Sequence, residues 1–176
     1  MKHWLVFFMA LFLSAPATAQ DSVVLERAIS NALDTFEMAY PKLGLTEMGV
    51  EVAAYREALA FQHFQSRHWG GNVSVKTAIR DSATGSCSRF AAFVQLPPDK
   101  GAVNLVLCPQ FFSPNADALR ELTILHEMVH VVAGPNECQA MAFAARIQQV
   151  ATGQHTRVEP YWKSSGCEGS GFSLPK

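Results

Sequence analysis

Residues 126–130 read His-Glu-Met-Val-His inside an apolar run, with Leu122-Thr123-Ile124-Leu125 before and Val131-Val132-Ala133 after. Positions i and i+4 share one helix face, so a helix here points both imidazoles the same way. The apolar flanks bury that helix, and a polar group buried without a partner costs about 1–3 kcal/mol. A divalent metal satisfies both rings at once. Glu127 is one residue further round and reaches the open side of such an ion. Zinc brings the pKa of bound water toward neutrality, and a neighbouring carboxylate can then take the proton. His126 and His130 are therefore candidate metal ligands, Glu127 is the candidate general base, and Zn2+ is the expected cofactor. The plainer alternative is two ordinary packed histidines.

A catalytic zinc usually takes three protein ligands. Gly134-Pro135-Asn136-Glu137 comes next. Gly134 suits a helix end, and Pro135 blocks its continuation. Asn136 can cap a new helix, with Gln139 three residues later completing a capping box. Glu137 then stands in the first turn of that helix, across a bend from the histidines, and is the expected third ligand. Its alternative role is to complement the helix dipole. His155, Glu159 and Asp117 are rival ligands.

The first residues carry Lys2, an apolar stretch from Leu5 to Leu13, and then Ala17-Thr18-Ala19. This pattern predicts a secretory signal peptide over residues 1–19, cleaved after Ala19, and a periplasmic or secreted protein. Residues 20–176 suit a single domain with a real core. The net charge is −1, with no basic footprint for nucleic acid. No polybasic run or second long apolar segment offers stable membrane insertion after cleavage, and a monomer is expected. Four cysteines, Cys87, Cys108, Cys138 and Cys167, suggest two disulfides in an oxidising compartment. Of the three pairings, Cys87–Cys108 and Cys138–Cys167 is favoured. The first would tie neighbouring strands, and the second would pin the tail to the metal-site helix. Cysteine ligation of zinc is the rival use, but C-x-x-C spacing is lacking.

Helical spacing predicts a helix over residues 21–40, and an Ala-rich stretch predicts another over 47–66. His63 and His68 near its end read as solvated or packed. Alternation predicts a strand over Val73–Ile79. Extended segments follow at 89–96 and Val103–Cys108, joined as a hairpin through a turn at 97–101. Ser113-Pro114 reads as the cap and first residue of the motif helix. The next helix spans Glu137–Thr152, closed by Gly153, and the Gly/Ser/Pro-rich tail from Gln154 reads as irregular. The expected fold class is α+β: N-terminal helices, a small antiparallel sheet with a hairpin, then two active-site helices.

The order of a Cys-bearing hairpin, Leu107-Cys108-Pro109-Gln110-Phe111-Phe112, the H-E-x-x-H helix and Gly134-Pro135-Asn136-Glu137 resembles the aspzincins. These are the deuterolysin and peptidyl-lysine metalloendopeptidase group, and the resemblance runs from about Ser86 to Val150. It implies a zincin-like fold and a zinc endopeptidase with His126, His130 and Glu137 as ligands and Glu127 as base. Within the family's G-T-x-D-x-x-Y-G motif, Gly134 matches, Pro135 replaces Thr, and Glu137 replaces the ligand Asp. Ala140 replaces the Tyr that helps stabilise the oxyanion, and Met141 replaces the last Gly. Tyr161 and His155 are candidates for the missing Tyr. Asn136-Glu137-x-x-Ala140 also resembles the glutamate motif of gluzincins, whose spacer is longer. The family's preference for a basic residue after the cleaved bond needs an acidic pocket, with Glu159 and Glu168 as contributors.

The leading expectation is thus an exported zinc endopeptidase acting on protein or peptide substrates. Its competitors are a non-catalytic zinc-binding or inhibitory module on the same fold, and a structural exported protein without metal.

Overall fold

The computed structural model describes residues 17–176. The expected signal peptide lies outside the described residues except for Ala17–Ala19, which open the first helix. Among the described residues there are five α-helices and six strands: α1 (Ala17–Ala39), β1 (Thr46–Glu47), β2 (Val50–Glu51), α2 (Val52–Leu59), β3 (Phe64–Ser66), β4 (Gly71–Ile79), β5 (Ala92–Asp99), β6 (Ala102–Leu107), α3 (Asp117–Ala133), α4 (Glu137–Thr152) and α5 (Glu159–Ser164). The fold is mixed α+β. No helix among the described residues is long and apolar enough to cross a membrane.

Helix α3 carries the H-E-x-x-H and packs against α1, α2, α4 and β5. Ile124, Leu125, Met128, Val129 and Val131 are fully buried on it. Two side chains from other elements donate to its backbone: Tyr55 Oη to the Leu125 carbonyl at 2.7 Å, and Trp69 Nε1 to that of Val131 at 2.8 Å. A core of aromatic rings, Phe36 on Tyr55 at 5.0 Å and Tyr55 on Phe143 at 4.7 Å, joins α1, α2 and α4 beneath it.

The sheet order is β3-β4-β6-β5. The β5–β6 hairpin forms as expected, but the sheet is mixed rather than antiparallel: β4 runs parallel to β6. Central β6 is buried through Val103, Leu105, Val106 and Leu107. Its near-continuous apolar run is what a strand covered on both faces requires. The hairpin turn is narrower than residues 97–101. Pro97 and Pro98 belong to β5, and Lys100-Gly101 alone turns the chain with φ of 48° and 76°. Proline lacks a ladder donor, yet β5 is an edge strand and its register shifts between Gln95 and Asp99.

Other expectations are corrected. The helix predicted over 47–66 shrinks to α2. A β1–β2 hairpin precedes it, turning at Met48-Gly49 with both φ positive, and Phe61 at φ 55° follows it before β3 pairs with β4. Ser113-Pro114 does not start α3, which begins four residues after Ser113 without a side-chain cap. Buried Arg120 instead ties the lead-in down, donating to the carbonyls of Phe111 and Ser113 and pairing with Asp117 at 2.6 Å. The tail contains α5, so it is not wholly irregular.

Both disulfides pair as favoured, Cys87–Cys108 and Cys138–Cys167. Cys87 lies in a 3-10 turn (Gly85–Ser88) rather than on a strand. With Val106 it forms a small second core on one face of the sheet.

Candidate metal centre

The local chain dictates how the three expected ligands meet. Gly134 terminates α3 at φ 91°, ψ −169°, a backbone region essentially confined to glycine. A Cβ there would lie 2.5 Å from His68 Nε2. Asn136 then caps α4, its side chain accepting from the Gln139 amide at 3.0 Å. The bend places Glu137 over the histidine pair. His126 Nε2 lies 3.2 Å from Glu137 Oε1, His130 Nε2 lies 3.3 Å from Oε2, and the two Nε2 atoms are 3.1 Å apart.

These separations fit a metal. Ligand bonds of about 2.0–2.1 Å in tetrahedral geometry set donor atoms roughly 3.3 Å apart. Two imidazole lone pairs facing at 3.1 Å repel unless a proton or cation lies between them. His130 Nδ1 is 2.9 Å from the Gly134 carbonyl, which only accepts, so Nδ1 carries the proton and Nε2 is left as the ligand atom. His126, His130 and Glu137 form a group that could hold a metal ion.

The electrostatics follow from that crowding. Burial pushes the Glu137 carboxyl up, but hydrogen bonds from His126, His130 and Tyr161 outweigh it and hold it well below the usual carboxylate range. Burial pushes His130 down, yet Glu137, Glu127 and the Gly134 carbonyl raise it above an ordinary imidazole. Glu127 is 7% exposed. Burial lifts its carboxyl above the ordinary value despite the opposing pull of both imidazoles, and the Val94 backbone amide favours the charged form.

The rival ligands lie elsewhere. His155 Nδ1 faces Gln149 Oε1, Asp117 pairs with Arg120, and Glu159 stands 4.0 Å from Arg157. Tyr161 is the partner that sequence reasoning placed only loosely. From α5 its hydroxyl donates to Glu137 Oε1 at 2.8 Å. Burial and the Glu137 charge raise its pKa, so it stays a protonated donor. Its one local signal was a tyrosine six residues before Cys167, whose disulfide partner adjoins Glu137.

The centre opens into a cleft of about 560 Å³ between one face of α3, the start of β5 and the segment leading into α5. The Cys108 amide bonds the Ala91 carbonyl, which sets the phase of the β5–β6 ladder. In an antiparallel pair bonded residues alternate, so Phe93 and Gln95 turn inward while Ala92 and Val94 turn their backbone groups to the free edge beside the cleft.

No family model, curated protein or solved structure matches the chain.

Proposed function

We propose that this chain is an exported zinc endopeptidase with a zincin-like fold, hydrolysing peptide bonds with Glu127 as general base. The observation that carries this reading is the convergence of two imidazole nitrogens and one carboxylate at 3.1–3.3 Å, with a buried glutamate adjoining them in the cleft. The two disulfides support an oxidising destination.

Each residue has a task. His126, His130 and Glu137 would hold the ion, and Tyr161 orients Glu137 through its hydrogen bond. Zinc bound there supplies Lewis acidity, activating water and polarising a carbonyl. Glu127, with its carboxyl raised by burial, accepts a proton from the attacking water and returns it to the leaving amine. The free edge offers the main-chain groups of Ala92 and the Val94 carbonyl to an extended peptide, which would add to the sheet as a further strand, while the Val94 amide holds Glu127.

The test is metal analysis joined to proteolysis. Purified wild type is expected to carry about one zinc, as a three-ligand site implies. Glu127→Gln is expected to keep the metal and lose peptide cleavage. A protein that stays metal-free at pH 7 with zinc supplied removes the reading. A zinc-loaded protein without Glu127-dependent cleavage reduces it to a binding module.

A further inference from the structure

The cleft's own chemistry points to a substrate class. Its lining holds two acids, Glu127 and Glu137, both engaged at the centre. Glu159 and Glu168, the candidates for an acidic pocket, do not line it. The cations that do are Arg89 and Arg157. Arg157 is 92% exposed, with Glu159 a loose neighbour at 4.0 Å. The Arg89 guanidinium rests 5.4 Å from the Phe90 ring. A lysine side chain entering here would give up hydration and meet like charge. A carboxylate would meet guanidinium groups suited to bidentate hydrogen bonding.

The remaining wall is apolar. Phe90, Leu119 and Tyr161 are large hydrophobic side chains left 36%, 54% and 41% exposed, and all three line this cleft. Exposed apolar groups gathered in one concavity mark a binding surface. Leu119, Leu122 and His126 follow one α3 face. The seven steps from Leu119 to His126 span about 10 Å of helix, the length of roughly three extended residues.

We propose that the cleft takes peptides with a large apolar side chain next to the cleaved bond and an acidic side chain within about two residues of it, and disfavours lysine and arginine at both places. This rests on the peptidase reading above. It runs opposite to the basic preference that the aspzincin resemblance implies.

The test separates the two claims. Fluorescent peptides of equal length, differing only in Phe-Glu, Phe-Lys, Ser-Glu or Ser-Lys at the centre, are titrated against full-length Glu127→Gln with and without zinc. Phe-Glu is expected to bind at least tenfold tighter than Phe-Lys and Ser-Glu. The double charge reversal Arg89→Glu/Arg157→Glu, at two exposed positions, is expected to invert the Glu-over-Lys order. Leu119→Ser is expected to weaken the Phe peptides alone. Equal or tighter binding of Phe-Lys, an order unmoved by the reversal, or no peptide binding overturns the proposal. Wild type is then given the same four peptides. Cleavage without the Phe-Glu preference overturns this specificity and leaves the peptidase reading standing. Binding in the proposed order with no cleavage removes the peptidase reading and leaves the specificity.

Discussion

His130 sits between two acids and a carbonyl, and that placement makes the centre's behaviour depend on pH. Its folded pKa is raised, so its contribution to stability is full below the ordinary imidazole value of about 6.5 and is lost as pH rises through the folded value. Glu137 is depressed, so its contribution is present above the ordinary carboxylate value of about 4.3 and is lost as pH falls through the folded value. Chelator-treated protein should therefore draw most from this cluster between roughly pH 4.3 and 6.5. Zinc needs the neutral imidazole, so the rise in Tm on adding zinc should grow from pH 5.5 to pH 7.5. A zinc increment that is flat across this range would contradict the proton displacement. Gly134 offers a second test. Gly134→Ala forces a Cβ into a glycine-only conformation and against His68, and should lower stability by about 1–3 kcal/mol by denaturant titration. His68→Ala in the same chain removes the clash but not the backbone strain, so recovery should be partial. The candidate cluster was legible in the sequence because its signals are local: the i, i+4 spacing, the glycine stop and the Asn136 cap all lie within twelve residues.

Helix α5 acts on the centre through one hydroxyl. Tyr161→Phe removes the donor to Glu137 and keeps the ring in the cleft. Outer partners of metal ligands typically contribute 10–100-fold to affinity, so zinc should bind at least about tenfold more weakly to this variant, measured by chelator competition. Unchanged affinity would show that Tyr161 merely packs there. Helix α5 also marks where sequence reading ran out, since six residues in a Gly/Ser-rich tail carry too little periodicity to register. The same limit hid the β1–β2 hairpin. Its turn uses Met48 at positive φ, which methionine seldom adopts, so no Asn-Gly type signal announced it. Helices α3 and α4 were legible because each spans about four turns with a defined stop. The parallel pairing of β4 with β6 was not, because alternation within a strand carries no information about its non-local partner.

Across the whole molecule, the two disulfides divide their work. Cys87–Cys108 closes a separation of 21 residues at the sheet, and Cys138–Cys167 closes one of 29 residues beside the centre. Loop closure of this size contributes about 3–4 kcal/mol each. Cys87→Ser/Cys108→Ser should lower Tm while leaving zinc affinity near wild type. Cys138→Ser/Cys167→Ser should lower both, because Cys138 adjoins Glu137 and Cys167 closes the segment that carries Tyr161. Equal effects of the two double variants on zinc affinity would contradict this division. If the chain is the enzyme proposed above, oxidation of that second pair would be a step in its maturation. A chain with reduced thiols has nothing covalent to hold its last helix over Glu137, so on the proposed reading tight zinc capture would wait for an oxidising compartment. On the proposed reading, synthesis and hydrolytic competence would thereby be separated in space.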